Sequence, residues 1–118
     1  MCFQIARDTG LWQWVEYSSF SLGSEADKYR LSVSGYSGDA GDAIAAPAHA
    51  YRICNGMEFS TPDQDNDNTG GQCGPTMGWW FNKCERSNLN SQSNVVWNAD
   101  TDAFITDVMF ARMLVKLG

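Results

Sequence analysis

Three carboxylates at alternate positions, Asp63, Asp65 and Asp67, are the residues of this chain best suited to chemistry. At neutral pH they would repel one another unless a cation lay among them, and carboxylate and carbonyl oxygens suit calcium better than zinc. The glycines at positions 70 and 71 let the backbone turn its carbonyl groups toward the same point. The spacing therefore predicts either a calcium loop or a solvated Asp/Asn turn without an ion.

Three other metal-site types fit poorly. An EF-hand loop that started at Asp63 would need glycine at its sixth position and glutamate at its twelfth, where this chain has Asn68 and Gly74. The Asp-x-Asp site of sugar-nucleotide transferases belongs to a nucleotide-binding fold that so short a chain does not contain. A zinc site needs clustered Cys or His ligands, and the single histidine, His49, is more typical of an exposed residue.

Length and charge limit the function classes. A chain of 118 residues with a net charge of −6 can form one domain with a modest core, and its acidity argues against a nucleic-acid partner. No apolar run is long enough to span a membrane, and the first residues do not resemble a signal peptide. An enzyme is also disfavoured, because the one acidic cluster is assigned to an ion and not to acid/base work.

Alternating apolar residues predict two strands, at 14–20 and 29–35. In the second strand, Tyr29, Leu31 and Val33 would share one face.

Local signals predict little regular structure elsewhere. Ser21 or Ser24 would cap a helical turn at 25–27, and residues 35–41 resemble a loop with positions open to positive φ. A short helix at 43–50 would be broken by Pro47. Residues 61–78 are rich in Gly, Pro, Asn and Asp, which predicts an irregular segment that depends on the ion and on cross-links for its order.

Five motifs in this order resemble the fibrinogen C-terminal domain family, the globular module of fibrinogen chains, ficolins, tachylectins, angiopoietins and tenascins. They are Tyr-Arg-Leu-x-Val-x-Gly-Tyr-Ser-Gly-x-Ala-Gly-Asp at 29–42, Asn-Gly-Met-x-Phe-Ser-Thr at 55–61, Asp-x-Asp-Asn-Asp at 63–67, Trp-Trp-Phe-Asn-x-Cys at 79–84 and Ser-Asn-Leu-Asn at 87–90. The resemblance implies an α+β fold with a small antiparallel sheet, short helices and a long calcium-binding loop region.

The resemblance begins partway along the family domain. It is strong from about residue 15 to residue 90, so residues 15–118 are interpreted as a partial domain that lacks the N-terminal subdomain, and residues 1–14 are left unassigned. Residues 103–117 have helix-like composition, but the family ends in a strand, and a strand is therefore expected there.

The resemblance also implies a metal site and a disulfide. Asp65 and Asp67 would bind Ca²⁺ through their side chains, the carbonyls of Thr69 and Gly71 would complete the shell, and Asp63 would organise the loop. A disulfide would join Cys73 to Cys84, as expected of a secreted, extracellular protein. The remaining cysteines, at positions 2 and 54, could pair, stay free or link to another chain.

The ligand pocket of the family lies beside a cis peptide, which here would join Lys83 to Cys84. Glu85 replaces the usual histidine, a pocket tyrosine near Met77 is absent, and Trp97 is expected to contribute an aromatic wall. A carboxylate at position 85 disfavours anionic ligands. The tandem tryptophans at 79 and 80 are expected to be core residues, because they can bury a large area in a small domain.

These features predict a calcium-dependent recognition module. The preferred ligand is a neutral N-acetylated sugar on a cell or microbial surface, bound weakly enough that an oligomer would be needed for useful affinity. The second hypothesis is a fibrinogen-like module that binds a cell-surface protein and no sugar.

Overall fold

The computed structural model of the chain describes residues 1–7, 10–45, 50–73, 77–84, 87–90, 96–97 and 108–116. The strands, in chain order, are β1 (Cys2–Arg7), β2 (Trp12–Leu22), β3 (Leu31–Gly38), β4 (Ser87–Asn88), β5 (Val96–Trp97) and β6 (Val108–Leu114). An antiparallel sheet of four strands has the order β3-β2-β1-β6, and β4 pairs with β5 in a second, two-stranded sheet.

The sequence did not lead us to predict β1, although it lies inside the larger sheet. Phe3 and Ile5 alternate with more polar neighbours and are buried, as expected of a strand with one face on a core. Phe3 pairs with Val15 on β2 and with Met113 on β6. Residues 1–14, which the resemblance left unassigned, thus contribute a strand to the same sheet as the residues that follow.

The predicted pattern of β3 is confirmed in part. Leu31 and Val33 are buried on the same face of the strand. Tyr29, however, precedes the strand, is 46% exposed and has a φ of 54°. The strand also continues through part of the predicted loop as far as Gly38. A side chain at Gly38 would place its Cβ 2.3 Å from the carbonyl oxygen of Trp14, so the approach of β3 to β2 requires glycine there.

Helical structure is sparse. Within the described ranges it consists of two 3₁₀ helices, Glu25–Asp27 and Ala50–Arg52. The helical turn predicted at 25–27 is confirmed, whereas residues 43–45 of the helix predicted at 43–50 form a turn. Ser24 is at the N-cap position of the first helix without a capping hydrogen bond from its side chain. Part of the helix predicted at 43–50, residues 46–49, lies outside the described residues. Neither described helix has the length and apolar composition that a membrane crossing requires.

The C-terminal strand prediction is confirmed for residues 108–114, where β6 pairs with β1. These residues have a helix-like composition, but pairing with β1 in the sheet outweighs their helix propensity. Residues 103–107 and 117 of that prediction lie outside the described residues.

The core joins the inner face of the sheet to the loops. Trp79 and Trp80 are 2% and 5% exposed, which confirms them as core residues. The other buried apolar residues of this cluster are Phe3, Ile5, Val15, Tyr17, Leu31, Val33, Ala43, Ile44, Cys54, Phe81 and Trp97.

A buried tyrosine ties the sheet to the loop after β3. The hydroxyl of Tyr17 donates a hydrogen bond to the Asp42 carboxylate, which also accepts from the backbone N–H groups of Ile44 and Ala45. Burial and this bond to Asp42 raise the pKa of Tyr17 far above its ordinary value.

We expect Tyr17→Phe to lower the free energy of unfolding by about 2 kcal/mol at pH 7, because a hydrogen bond to a charged group is lost. The raised pKa means that the folded state keeps its proton after the unfolded tyrosine has ionised. This contribution is complete below about pH 10 and decreases as pH rises above it, by up to about 1.4 kcal/mol per pH unit.

Urea unfolding of both proteins between pH 7 and 11 measures the effect. The difference between wild type and Tyr17→Phe should narrow above pH 10, whereas the difference between wild type and Tyr29→Phe, at an exposed tyrosine, should stay small and constant. If the difference in unfolding free energy between wild type and Tyr17→Phe increased with pH, the stabilising hydrogen bond from Tyr17 to Asp42 would be contradicted.

Candidate metal loop and neighbouring pocket segment

Two stretches of chain form the candidate site: residues 61–73, called the metal loop, and residues 79–84, called the pocket segment. At one end, an antiparallel bridge joins Ser60, the residue just before the metal loop, to the pocket segment: the N–H of Ser60 donates to the carbonyl of Trp79 at 2.9 Å, and the N–H of Trp79 donates to the carbonyl of Ser60 at 3.1 Å. The Cys73–Cys84 disulfide joins them at the other end. The metal loop is thus held at both ends against the pocket segment.

Asn82 connects the middle of the two stretches. Its carbonyl accepts from the Asn68 N–H at 3.1 Å, and its side-chain oxygen accepts from the Asn68 amide at 2.9 Å. Its own side-chain NH₂ donates to the carbonyl of Ile53, and its backbone N–H donates to the carbonyl of Cys84. Asn82 is only 8% exposed, so these bonds satisfy a polar group that would be costly to bury alone.

Sequence reasoning missed the pair formed by Asn68 and Asn82. In the sequence, Asn68 was noted only because an EF-hand would need glycine at that position, and Asn82 only as part of the motif at 79–84. The available signal was an amide side chain directly after the apolar run Trp79-Trp80-Phe81, which indicates a buried position where the amide needs hydrogen-bond partners.

The four predicted calcium residues follow one another in a chain of hydrogen bonds. Asp65 Oδ1 accepts from the Asp67 N–H at 3.1 Å, and Asp67 Oδ1 accepts from the Thr69 N–H at 3.0 Å. The hydroxyl of Thr69 lies within hydrogen-bond distance of both Asp67 Oδ1 and the Gly71 carbonyl. The loop therefore brings these residues together in sequence order.

Of the three aspartates in the metal loop, Asp67 accepts the most hydrogen bonds. Partial burial opposes its ionisation, but hydrogen bonds from the N–H groups of Cys73 and Thr69 outweigh that effect and lower the pKa of Asp67. The bond from Cys73 N–H to Asp67 Oδ2 is 2.9 Å long. Asp67 is therefore a carboxylate at neutral pH, which is the form that binds a metal ion.

Asp65 and Asp63 are both exposed. The Thr61 hydroxyl donates to Asp63 Oδ1 at 2.7 Å, and this bond, with one from the backbone, lowers the pKa of Asp63. These bonds hold Asp63 at the start of the loop, and its role in organising a calcium site stays a prediction from the resemblance.

Side chains alone do not make a metal site here. In the described part of the chain, no group of three or more His, Cys, Asp or Glu side chains is arranged to hold an ion. Two carboxylates and two backbone carbonyls would supply the ligands, and all of these donors are hard oxygens of the kind that calcium prefers. The donor chemistry fits calcium and does not fit zinc.

Two of the four cysteines form a disulfide and the other two are thiols. Cys73 and Cys84 form the disulfide, with their Cα atoms 5.5 Å apart. Cys2 is partly exposed on β1 and carries a free thiol. Cys54 is buried, with its sulfur 3.6 Å from the Ser87 hydroxyl, so Cys2 and Cys54 do not pair with each other.

The pocket segment has the expected cis peptide between Lys83 and Cys84. Lys83 is exposed, and its backbone N–H donates to the carbonyl of Tyr51 at 3.1 Å. Glu85, the predicted neighbour of the ligand, lies outside the described residues.

Trp97 does not form the aromatic wall that the resemblance implied. It has no exposed surface, its ring centre lies 5.1 Å from that of Phe3, and its indole N–H donates to the carbonyls of Ala40 and Gly41. A tryptophan with these contacts belongs to the core, because exposing it to a ligand would break both its packing and its hydrogen bonds.

The comparisons with known proteins agree with this geometry. Residues 2–110 match the C-terminal globular domain of fibrinogen beta and gamma chains. Angiopoietin-4 of Bos taurus is 47% identical over 79 residues, which cover 65% of this chain and 15% of that protein. Fibrinogen-like protein 1 of Homo sapiens is 39% identical over 84 residues, covering 66% of this chain and 27% of that protein. The chain thus spans a minor part of the length of these relatives.

Solved structures give the same result. The fibrinogen-like globe domain of human ANGPTL6 superimposes with a TM-score of 0.75 at 30% identity, covering 93% of this chain and 52% of that one. Lamprey fibrin D-dimer, complexed with the peptide ligand Gly-His-Arg-Pro-amide, superimposes with a TM-score of 0.81 at 26% identity, covering 99% of this chain and 47% of that one. This chain therefore belongs to the fibrinogen C-terminal domain family.

Proposed function

We propose that this chain is an extracellular protein-recognition module, in which a calcium-ordered metal loop supports a pocket beside Lys83 and Cys84 that binds a peptide segment of a partner protein. The observation that carries the proposal is the likeness, over 99% of this chain, to a fibrin structure described with a peptide ligand. The relatives reported above are named as fibrinogen-like and angiopoietin proteins, and none is named for a sugar. Protein recognition is therefore favoured over the N-acetylated sugar predicted from the sequence.

Calcium would be held by the side chains of Asp65 and Asp67 and by the carbonyls of Thr69 and Gly71. When bound, it would neutralise two carboxylates and fix the direction of two carbonyl groups. Two links within the chain connect the metal loop to the pocket segment: the Asn68 side chain donates a hydrogen bond to Asn82, and a disulfide joins Cys73 to Cys84. A calcium ion that fixed the conformation of the metal loop would therefore also restrict the conformation of the pocket segment.

Charge favours a basic partner segment. The chain has a net charge of −6, and Glu85 follows the cysteine of the pocket segment in the sequence. An acidic surface steers cations toward it and repels anions. An extracellular location is supported by the disulfide, because disulfides persist in oxidising compartments.

The calcium step is tested by calorimetric titration of wild type, Asp65→Ala and Glu25→Ala. Glu25 is an exposed carboxylate in a 3₁₀ helix outside the metal loop, so its variant loses the same charge without losing a ligand. We expect calcium to bind wild type and Glu25→Ala equally and Asp65→Ala at least about tenfold more weakly, since ligand charge count sets calcium affinity. Equal heats in wild type and Asp65→Ala would end the calcium assignment.

The ligand class is tested by panning the calcium-loaded protein against a displayed peptide library, with immobilised N-acetylglucosamine in parallel. Enrichment of basic peptides that a calcium chelator releases is the expected result. Retention on N-acetylglucosamine alone would restore the sugar-binding function. Retention on neither support, with folding verified by circular dichroism, would overturn protein recognition through this pocket.

A further inference from the structure

Asn68 lies between two of the residues that would hold calcium, Asp67 and Thr69, and it contacts the pocket segment. Its backbone N–H donates to the Asn82 carbonyl at 3.1 Å, and its side-chain NH₂ donates to Asn82 Oδ1 at 2.9 Å. Because two groups of one residue bind two groups of the other, both the position and the orientation of Asn68 are tied to those of Asn82. An ion that fixed the backbone on either side of Asn68 would therefore act directly on these two bonds.

The other asparagine of the metal loop, Asn66, has different partners. Its side-chain NH₂ donates to the carbonyl of Phe59 at 2.8 Å, and its backbone N–H donates to the Ser60 hydroxyl at 2.9 Å. Both of these partners precede the metal loop in the chain. Asn66 and Asn68 thus have the same side chain in the same loop, and Asn66 is a matched control for the contact with the pocket segment.

Asn82 extends the connection to a third stretch of chain. Its side-chain NH₂ donates to the carbonyl of Ile53 at 3.1 Å, and the backbone N–H of the next residue, Lys83, donates to the carbonyl of Tyr51 at 3.1 Å. The amide oxygen of Asn82 thus binds the metal loop while its amide nitrogen binds residue 53. Since Asn82 is 8% exposed, a rotation that broke either bond would leave a buried polar group without a partner.

The disulfide is a looser connection than the asparagine pair. Cys73 and Cys84 are joined through side chains with several rotatable bonds, so the disulfide limits the distance between their Cα atoms, which is 5.5 Å. A hydrogen bond restricts direction as well, because the N–H must point at its acceptor. The orientation of the peptide groups in the pocket segment is therefore expected to depend on Asn82 more than on the disulfide.

We propose that Asn82 is a positioning residue, which acts through Asn68 and makes the conformation of the pocket segment and of residues 51–53 depend on calcium in the metal loop. This inference rests on the calcium step of the proposed function. With calcium bound, the metal loop keeps both bonds from Asn68, and Asn82 in turn keeps its bond to Ile53. Without it, the loop opens more often and water replaces these bonds. Such coupling is reciprocal, so a ligand that held Asn82 in place would also raise the affinity for calcium.

Amide hydrogen exchange, followed by NMR with saturating calcium and with a chelator, tests the inference. In wild type, calcium should slow the exchange of Thr69 and Cys73 in the metal loop and of Lys83 in the pocket segment, each by about tenfold. Asn68→Asp keeps the shape of the side chain but removes its NH₂ donor. In this variant calcium should still slow Thr69 and Cys73, whereas its effect on Lys83 should fall to about twofold or less. A general loss of loop stability would not separate these two responses.

Two further variants separate the asparagine pair from charge and from general effects on the metal loop. Asn68→Ala adds no charge and should weaken the calcium response of Lys83 as Asn68→Asp does. Asn66→Asp makes the same change at the matched position, where the amide binds Phe59, and the response of Lys83 should remain that of wild type.

The contrary results differ for the two proposals. If Lys83 responded equally to calcium in wild type and in both Asn68 variants, the disulfide would be the effective connection, and the role of Asn82 would be overturned while calcium binding stood. Loss of the response in Asn66→Asp to the same extent as in Asn68→Asp would overturn that role as well. If calcium slowed no amide in the metal loop of wild type, the calcium step of the proposed function would fail, and this inference with it.

Discussion

Replacing Trp97 with alanine is expected to lower the free energy of unfolding by about 4 kcal/mol, which is enough to unfold much of a small domain. The side chain has no exposed surface and packs 5.1 Å from the ring centre of Phe3. Its removal leaves a cavity between β1 and the loop after β3. The carbonyls of Ala40 and Gly41 lose their donor as well, so the loss exceeds that of a purely apolar contact.

Chemical denaturation of wild type, Trp97→Ala and Trp12→Ala measures this effect. Trp12 is 54% exposed, so the same deletion there should cost less than about 1 kcal/mol, mostly its contact with the Arg112 guanidinium. Similar losses in the two variants would show that Trp97 is not the centre of the core. If Trp97→Ala kept wild-type stability but changed peptide binding, Trp97 would be a ligand-pocket residue and not a core residue.

Removing the Cys73–Cys84 disulfide should have the second large effect. The bridge closes a short loop, with a sequence separation of 11, and loops of that size contribute about 3 kcal/mol by restricting the unfolded chain. The loss should be concentrated in the metal loop, because Asp67 depends on the N–H of Cys73 for one of its hydrogen bonds.

The measurement compares the double variant Cys73→Ser/Cys84→Ser with wild type by thermal unfolding and by amide exchange across residues 61–73. Cys2→Ser removes a free, partly exposed thiol and should change neither quantity by much. If exchange in the metal loop were the same in the double variant and wild type, the hydrogen bonds of Asp67 and Asn68 would be sufficient to order the loop.

The sequence was sufficient to predict features that depend on local pattern or on long motifs. Leu31 and Val33 alternate as a half-buried strand does, and the tandem tryptophans at 79 and 80 have too much apolar area to remain at the surface of a small domain. The disulfide was predicted from the family motifs around Cys73 and Cys84. Each of these signals lies within a few residues of the feature that it predicts.

What could not be predicted depends on contacts between distant parts of the chain. The burial of Phe3 and Ile5 arises only when β1 is placed between β2 and β6. Trp97 is a core residue because its partners, Phe3 and the carbonyl of Gly41, lie at positions far from it in sequence. The hydrogen bond from Asn68 to Asn82 also joins residues that are apart in sequence, and the sequence does not show which donor or acceptor each amide will bind.

The pairing of β1 with β6 also constrains when this chain can fold. Cys2 lies opposite Leu114, so β1 meets this neighbour only after β6 has been synthesised. Until then Phe3 and Ile5 can rest only on β2, and the sheet is incomplete. Such a high contact order slows folding, and synthesis from the N-terminus lengthens the wait. Before β6 is synthesised, the apolar residues of β1 therefore lack one of the two strands between which they are buried.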